Sequence, residues 1–370
     1  MPAAVIMPTR KRIDWPTVAT ALAQRISHGM LHPGAMMTAW DDYEREKRKN
    51  ARHKPRWALA FSGGADSLAM LLIFWAEAPG RWGRDFVVLH FNHRLRGKAA
   101  DDDEKFCRLV CAALGLKFIS GRWDVGRALR PTVGGKARPA GKPKVSEAEA
   151  RAARHEFFTR EMKKRKIRML WLAHQQDDIA ETMLMRLSRG SGAAGMAAPR
   201  PAQALGDGRL HLRPMLTLKK AEIVAALRKA GAVWREDATN AGADFFRTRV
   251  RRSVVPAWVK ASGRDALAGA ALTRERLEED DAAIEAWLDE LKPLGGRKRL
   301  DVRRLSARPR ALVRRALHRW LLAVRPTTDL SRQGFELLLA AVEKGKATRF
   351  SLGAKGFAVL RQGRLEFQRR

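Results

Sequence analysis

The chain has 370 residues, 45% of them hydrophobic, which is enough to fill two or three domain cores and excludes a disordered or fibrous protein. It carries 73 Lys and Arg residues against 39 Asp and Glu residues, a formal net charge of +34. This excess favours a polyanionic partner, because each Lys or Arg set against a phosphate releases a counterion. The alternative is a basic surface that is only solvated. No apolar run approaches the ~20 residues that span a bilayer and no signal peptide is evident, so we expect a soluble cytoplasmic protein without a membrane partner.

The first 56 residues show no clear strand pattern. A helix is indicated around Trp15 to Ile26, and a charged run follows from Asp41 to Lys54. We interpret residues 1–56 as an N-terminal extension that is partly disordered or loosely docked on the rest of the chain.

From Trp57 onward, apolar strands alternate with helices. The predicted strands are Trp57–Phe61, Phe86–Phe91, Lys117–Ile119 and Met169–Ala173, with Leu210–Leu212 as an edge strand; the predicted helices include Leu68–Ala76, Asp101–Leu114 and one that starts at a Ser146–Glu149 capping box. Nearly continuous apolar strands are typical of a parallel sheet with helices on both faces, so we expect an α/β fold. Residues 259–370 are predicted to form a smaller, mainly helical basic domain that ends in a hairpin.

The chain has two cysteines, Cys107 and Cys111, spaced one helical turn apart within the predicted helix 101–114. Their neighbours at helical spacing are apolar, so we interpret both as core residues. No disulfide framework is indicated, which fits a reducing compartment.

The segment Ser62-Gly63-Gly64-Ala65-Asp66-Ser67 lies where the first strand turns into the first helix of this alternating region. Adjacent glycines let the backbone curl so that successive N–H groups face one anion at the positive end of a helix. The serines add hydroxyl donors and Asp66 could hold a magnesium ion. The sequence therefore predicts a phosphate-binding loop, although an ordinary strand-to-helix turn would also favour Gly and Ser.

Polar residues also follow the second and fourth predicted strands, at His90–Arg96 and His174–Glu181. The carboxyl ends of parallel strands meet at one edge, so these segments should line one crevice with the loop at Ser62. Asp177 and Glu181 are four residues apart and could hold a cation or an ammonium group together. Acids that only favour a helix N-terminus are the alternative.

Arg151 and Arg154 lie on one face of the helix that follows the capping box. A guanidinium group binds phosphate oxygens in a bidentate manner, which would suit a nucleotide or RNA ligand. A salt-bridged, solvent-exposed face is the alternative and is the more common outcome for charged helical residues.

Several motifs together resemble one family. SGGADS resembles the PP-loop of the N-type ATP pyrophosphatases, and HFNHRLR, EAEARAAR, AHQQDDIAETMLMRLSRGSG, LRPML and EDATNAGADFFRTRVR resemble, in order, the motifs of the tRNA(Ile)-lysidine synthetases. The resemblance covers about residues 57–258, which we therefore expect to form a PP-loop ATP pyrophosphatase domain. This sequence departs from the family pattern at Arg94 (usually Gly), His155 (Tyr), Gln175 (His), Ile179 (Gln) and Thr248 (Asn).

The resemblance implies a reaction. ATP would activate the ring carbonyl of the wobble cytidine in the anticodon loop of tRNA(Ile), with release of pyrophosphate, and the ε-amine of free L-lysine would then displace AMP to give lysidine. ATP and Mg²⁺ are the implied cofactors, and the basic domain over 259–370, with the Arg-rich segment around Arg247 to Arg252, would hold the rest of the tRNA.

The resemblance also implies roles for individual residues. The expected ATP-binding residues are Ser62, Gly63, Gly64, Ala65, Asp66 and Ser67; the expected metal ligands are Asp66 and Asp177; the expected catalytic residues are Asp66, Asp177, Glu181, Arg151 and His174; and the expected lysine or tRNA contacts are Asp177, Asp178, Glu181, Arg154, His93, Arg96, Arg247 and Arg249.

Two other functions stay open at the level of the sequence. A PP-loop tRNA thiolase would share the ATP chemistry, but it commonly uses a CxxC pair, and the only cysteines here are Cys107 and Cys111. A non-catalytic RNA-binding protein would explain the net charge but not the SGGADS loop or the acidic cluster.

Overall fold

The structure is a computed structural model that describes residues 13–49, 57–77, 86–95, 97–123, 146–236, 245–296, 299–324, 330–353 and 356–370. The chain divides into two compact units, Met1–Arg274 and Glu275–Arg370. The limits expected from the sequence for the catalytic and tRNA-binding domains, at 56/57 and 258/259, stay a prediction.

The first unit is a sheet surrounded by helices. Its helices are α1 (Trp15–Ala23), α2 (Pro33–Lys49), α3 (Ala65–Glu77), α4 (Lys98–Ala113), α5 (Glu147–Lys164), α6 (Gln176–Leu187), α7 (Ala193–Met196), α8 (Lys220–Lys229), α9 (Phe246–Arg249) and α10 (Val255–Ser262), and α11 (Ala266–Leu291) contains the boundary between the units. Its strands are β1 (Trp57–Ala60), β2 (Phe86–Asn92), β3 (Lys117–Arg122), β4 (Met169–Trp171), β5 (Ala202–Ala204) and β6 (Leu210–Leu212).

The strand order is β3-β2-β1-β4-β6-β5, and every pairing is parallel except that of β5 with β6. Alternate residues of β1 face two different cores: Leu59 packs in the larger cluster with α3, and Ala58 packs in a second cluster with Phe157 and Phe158 of α5. Helices therefore cover both faces, and the expected α/β fold is confirmed. The expectation that Leu210–Leu212 forms the edge was wrong, because β5 pairs with its outer side.

The N-terminal region differs from the loosely docked extension that we expected over residues 1–56. In the part of it that is described, 13–49, Trp15 and Leu22 of α1 are buried and belong to the same core as α3 and the sheet. Helix α1 starts at an Asp14 cap, whose side chain accepts hydrogen bonds from the Thr17 N–H and hydroxyl groups. Burial of these large apolar side chains outweighs the entropy of an ordered segment, so residues 13–49 are an integral layer of the first unit.

The second unit combines helices with a five-stranded antiparallel sheet. Its remaining elements are α12 (Arg310–Val324), α13 (Arg332–Lys344), β7 (Leu294–Gly295), β8 (Arg299–Asp301), β9 (Thr348–Ser351), β10 (Gly356–Arg361) and β11 (Arg364–Arg369). The sheet order is β7-β8-β11-β10-β9. The expected hairpin is formed by β10 and β11, whose two turn residues, Gln362 and Gly363, both have positive φ. The sequence pattern had indicated this hairpin but not the other three strands.

Among the residues that the structure describes, no helix is both long enough and apolar enough to cross a membrane.

Candidate active site

The loop between β1 and α3 is held in a tight curl. Gly63 has φ of 89°, a conformation that L side chains avoid, and a Cβ atom there would lie 3.1 Å from the Cys107 Sγ atom. Its carbonyl accepts a hydrogen bond from the Arg235 N–H at 2.9 Å, and the Arg235 side chain is anchored on Asp103 at 2.7 Å. Two distant segments therefore fix the curvature of the predicted phosphate-binding loop.

The two serines of this loop face each other. The Ser62 and Ser67 hydroxyl oxygens are 3.0 Å apart, and the Ser67 hydroxyl donates to the Gly64 carbonyl at 3.0 Å. Because α3 starts at the buried Ala65, its positive N-terminal end points into the same curl. The geometry fits a phosphate group, since N–H groups, hydroxyls and a helix dipole converge there.

Asp66 and Asp177 are joined through one residue, Lys220. The Lys220 ammonium lies 2.7 Å from the Asp66 Oδ1 atom, and the Lys220 backbone N–H donates to the Asp177 Oδ2 atom at 2.9 Å. Burial raises the pKa of Asp66 above its ordinary value, and the Lys220 charge opposes that rise only in part. A half-buried carboxylate of this kind gains from a nearby cation, and Lys220 is the cation that contacts Asp66 here.

The other two acids of α6 are held by arginines from the segment 245–262. Glu181 is 2% exposed and accepts from Arg247 Nε at 2.9 Å and from Arg251 Nε at 2.5 Å. Asp178 accepts from Arg247 Nη2 at 2.6 Å, and Arg247 holds the pKa of Asp178 below its ordinary value despite burial. A π-helical turn over Val250–Val254 follows α9, and Arg251 lies within it. Four charges are thus balanced in one buried cluster.

Gln175, which stands where the related family has His, serves as the cap of α6. Its side-chain oxygen accepts from the Asp177 N–H at 2.6 Å, and its own N–H donates to Asp178 Oδ2 at 3.0 Å. This reciprocal capping positions both acids at the start of the helix. The substitution therefore keeps a structural role at this strand end.

Three histidines, His174, His155 and His211, lie near arginines in this part of the first unit. Burial, then Arg213 and other arginines, lowers the pKa of His174 to about 3, although the nearby Asp178 opposes this. His155 and His211 have ring centroids 5.7 Å apart, and burial lowers the pKa of each to about 4, with Arg151 contributing to both. All three imidazoles are therefore neutral at neutral pH. A neutral His174 is a weak proton acceptor.

A side chain near the end of strand β2 contacts the residue that precedes the phosphate-binding loop. The His90 Nδ1 atom lies 2.8 Å from the Phe61 carbonyl oxygen, at the residue that precedes Ser62. Arg94 has φ of 54°, which explains why related sequences use Gly at this position. His93 packs against the rings of Phe91 and Trp123.

The structure links most of the predicted site residues but not all. Asp66, Asp177, Asp178, Glu181 and Arg247 are joined by the contacts described above. Arg249 is exposed, with its guanidinium over the ring of Phe246, and Arg96 lies outside the described residues. Arg151 is exposed and Arg154 half-buried on α5. The roles assigned to these residues stay predictions.

Three residues of the site were missed by the sequence reasoning, Lys220, Arg213 and Arg235, and Arg251 was expected only in the Arg-rich segment that holds tRNA, not as a partner of Glu181. Arg251 is four residues after Arg247, and this spacing on a helix could have identified it. Lys220 is 154 residues from Asp66, and no local pattern predicts such a contact.

Both cysteines are buried in α4, as the apolar pattern predicted. Burial raises the pKa of the Cys111 thiol to about 12 and also raises that of Cys107. Neither thiol is exposed for sulfur transfer or for a cluster.

Comparison with known proteins gives a consistent result. Residues 40–258 match the family model described as a PP-loop domain. The tRNA(Ile)-lysidine synthases of Geobacter sulfurreducens, Chlorobaculum tepidum and Bacillus subtilis are 35%, 36% and 33% identical; the matches cover 76%, 54% and 61% of this chain and 57%, 55% and 45% of the relatives. The chain spans about half the length of the curated relatives it matches. Among solved structures, the U34-tRNA thiolase NcsA from Methanococcus maripaludis has a TM-score of 0.48 at 17% identity, covering 65% of this chain and 78% of that chain.

Proposed function

The chain belongs to the PP-loop domain family, and from this premise we propose that it ligates free L-lysine to the wobble cytidine of an isoleucine tRNA with a CAU anticodon. ATP would be cleaved to AMP and pyrophosphate. The relatives that bear the name tRNA(Ile)-lysidine synthase support this proposal, and so does the formal charge of +34, which suits an RNA substrate.

One observation carries the proposal: Lys220 connects the phosphate-binding loop to the acidic cluster. Its ammonium contacts Asp66 of the loop at 2.7 Å and its N–H contacts Asp177 of α6 at 2.9 Å. The proposed ligation needs a nucleotide triphosphate and a cationic amine at the same place. The loop curl would bind the phosphates and the carboxylates would bind the amine, and Lys220 contacts both groups of residues.

The chain's own residues would act in the first step by orientation. Ser62, Ser67 and the N-terminus of α3 would hold the pyrophosphate portion of ATP, so that the carbonyl oxygen of the cytidine ring can attack the α-phosphorus as the bond to pyrophosphate breaks. Asp66 and Asp177 would hold Mg²⁺, which when bound offsets the charge that develops on the leaving group.

In the second step the lysine ε-amine would attack the activated ring carbon, and the bond to AMP would break. The amine must first lose a proton, which would pass to a carboxylate of α6 that does not hold the metal. His174, with a pKa of about 3, accepts hydrogen bonds but is poorly suited to that transfer. We therefore assign the proton transfer to the carboxylates rather than to His174.

The direct test is incorporation of labelled lysine. The protein is incubated with ATP, labelled L-lysine and a transcript of the isoleucine tRNA with a CAU anticodon, and acid-precipitable label and pyrophosphate are measured. We expect both in equal amounts. The matched control is the same transcript with the wobble cytidine changed to uridine, which should take up no label. Absence of incorporation into the CAU transcript by a folded protein would contradict the proposed function.

A further inference from the structure

Arg213 is a buried cation that forms no ion pair with a carboxylate among the residues that the structure describes. It is 5% exposed, and its Nη1 and Nη2 atoms donate to the Arg200 carbonyl at 2.8 Å and to the Gln203 side-chain oxygen at 3.0 Å. Both acceptors are neutral. The Nε atom is buried and has no hydrogen-bond partner within the described ranges. A buried charge is costly unless it is paired, so this guanidinium favours an anionic ligand.

The surroundings of Arg213 are cationic as well. Burial and then Arg151 lower the pKa of Arg213 to about 10, and Asp178 opposes this effect. Arg151 also lowers the pKa values of His155, His174 and His211. The Nδ1 atom of His174 is a second buried polar atom that lacks a partner in the described structure. An oxyanion beside Arg213 would compensate its charge and reduce the repulsion within this cluster.

The fold places the cluster beside the proposed lysine site. Arg213 directly follows β6 and His174 follows β4; these strands are parallel neighbours, with Trp171 opposite Leu212. Both side chains therefore arise from the carboxyl edge of the sheet, where α3 and the phosphate-binding loop follow the adjacent β1. His174 is three residues before Asp177, the acid that fits a cation. A cluster of cationic side chains next to carboxylates matches a zwitterion.

We propose that Arg213, together with Arg151 and His174, forms a subsite for the α-carboxylate of the free amino acid substrate. This inference rests on the proposed function. The carboxylate would receive charge-assisted hydrogen bonds from Arg213, and the α-ammonium group would lie toward the carboxylates of α6 that do not hold the metal. With both α-substituents held, the side-chain amine is the group left to react. The subsite would thus select an amino acid over a simple diamine.

The experiment compares lysine with cadaverine, which has both amines but no carboxylate. Equilibrium binding of each labelled amine and its kcat/KM for incorporation are measured for the wild type, Arg213→Gln and Arg151→Gln. We expect the lysine Kd to rise by about 10- to 100-fold in Arg213→Gln, the range for loss of a charge-assisted hydrogen bond. The cadaverine Kd and the tRNA Kd should change by less than about threefold.

Two further variants separate the subsite from folding effects. Arg151 is exposed, so Arg151→Gln tests the same site without disturbing the core, and it should also reduce the preference for lysine over cadaverine. Arg160→Gln is the matched control, because Arg160 lies on the same helix with its guanidinium over the ring of Phe157. It should leave the preference unchanged.

The outcomes are distinct. A weakened tRNA affinity with an unchanged lysine preference would overturn the subsite and indicate an RNA phosphate in its place. Equal affinity of the wild type for lysine and cadaverine would also overturn it. Binding of lysine without incorporation would instead contradict the proposed ligation, since equilibrium binding does not require turnover.

Discussion

Replacing Glu181 by Gln should destabilise the first unit measurably. Glu181 is 2% exposed and accepts three hydrogen bonds, from Arg247 Nε at 2.9 Å and from Arg251 Nε and Nη2 at 2.5 and 3.0 Å. A Gln side chain keeps one acceptor but loses the charge, and it turns an NH₂ group toward an arginine donor. The positive charges of Arg247 and Arg251 would then remain in the cluster with one negative charge fewer to balance them.

The size of the loss follows from the contacts. Hydrogen bonds to charged groups contribute roughly 1.5–3 kcal/mol each when buried. Arg251 is 44% exposed and Arg247 keeps its bond to Asp178, so both losses are smaller than this range implies. We expect a decrease of about 2–3 kcal/mol in the free energy of unfolding, which corresponds to a fall in Tm of about 5–10 °C for a unit of this size.

The assay is thermal and denaturant unfolding followed by circular dichroism, with Asp207→Asn as the matched control. Asp207 also accepts hydrogen bonds from one arginine, from the Arg209 backbone N–H and from its Nε atom, but it is 35% exposed. Its replacement should cost less than about 1 kcal/mol. Equal changes in the two variants would refute the reasoning, because burial of the Glu181 cluster would then contribute nothing.

Three other changes test separate parts of the site. Asp66→Asn should reduce pyrophosphate release at least about 100-fold and leave the affinity for tRNA within twofold of the wild type. Its Tm should be unchanged or raised, because burial already disfavours the Asp66 carboxylate. Retained turnover would place the metal elsewhere. Gly63→Ala should lower the free energy of unfolding by about 1–2 kcal/mol and abolish pyrophosphate release, since the new Cβ atom would lie 3.1 Å from the Cys107 Sγ atom. The control is Gly208→Ala, where φ is 78° and the space around the new Cβ atom is open, and it should retain activity. Lowering the pH from 7 to 5 should reduce the free energy of unfolding, with up to about 2 kcal/mol of the loss due to His211. The unfolded His211 takes up a proton near pH 6.5, whereas the folded one, with a pKa of about 4, does not. His211→Gln should remove that part of the pH dependence, and an unchanged pH dependence would contradict the assignment.

Local patterns were sufficient for the parts of the fold that depend on neighbouring residues. The Ser146 hydroxyl accepts from the Glu149 N–H at 3.2 Å and the Glu149 carboxylate accepts from the Ser146 N–H at 2.9 Å, which is the capping box that the spacing predicted. The parallel sheet also followed from the continuous apolar strands. These features depend on residues only a few positions apart, so the sequence displays them directly.

Contacts between distant segments could not be predicted in the same way. Lys220 reaches Asp66 across 154 positions, and Arg235 donates to Gly63 from the far side of the loop. The burial of Arg213 depends on how β5 pairs with the outer side of β6, which composition does not reveal. Docking of α1 was missed because its apolar residues precede a long charged run that suggested a solvated arm.

The π-helical turn over Val250–Val254 fixes the number of residues that the chain needs near the acidic cluster, whatever their side chains are. Such a turn contains one residue more than an α-helical turn. Deleting any one residue of it would restore regular helix and rotate whatever follows by about 100°, the angle between successive residues of an α-helix. Arg247 precedes the turn and Arg251 is its second residue, so deletion of Val250 between them would separate two side chains that now share Glu181. Homologous chains that keep this cluster should therefore align here without gaps.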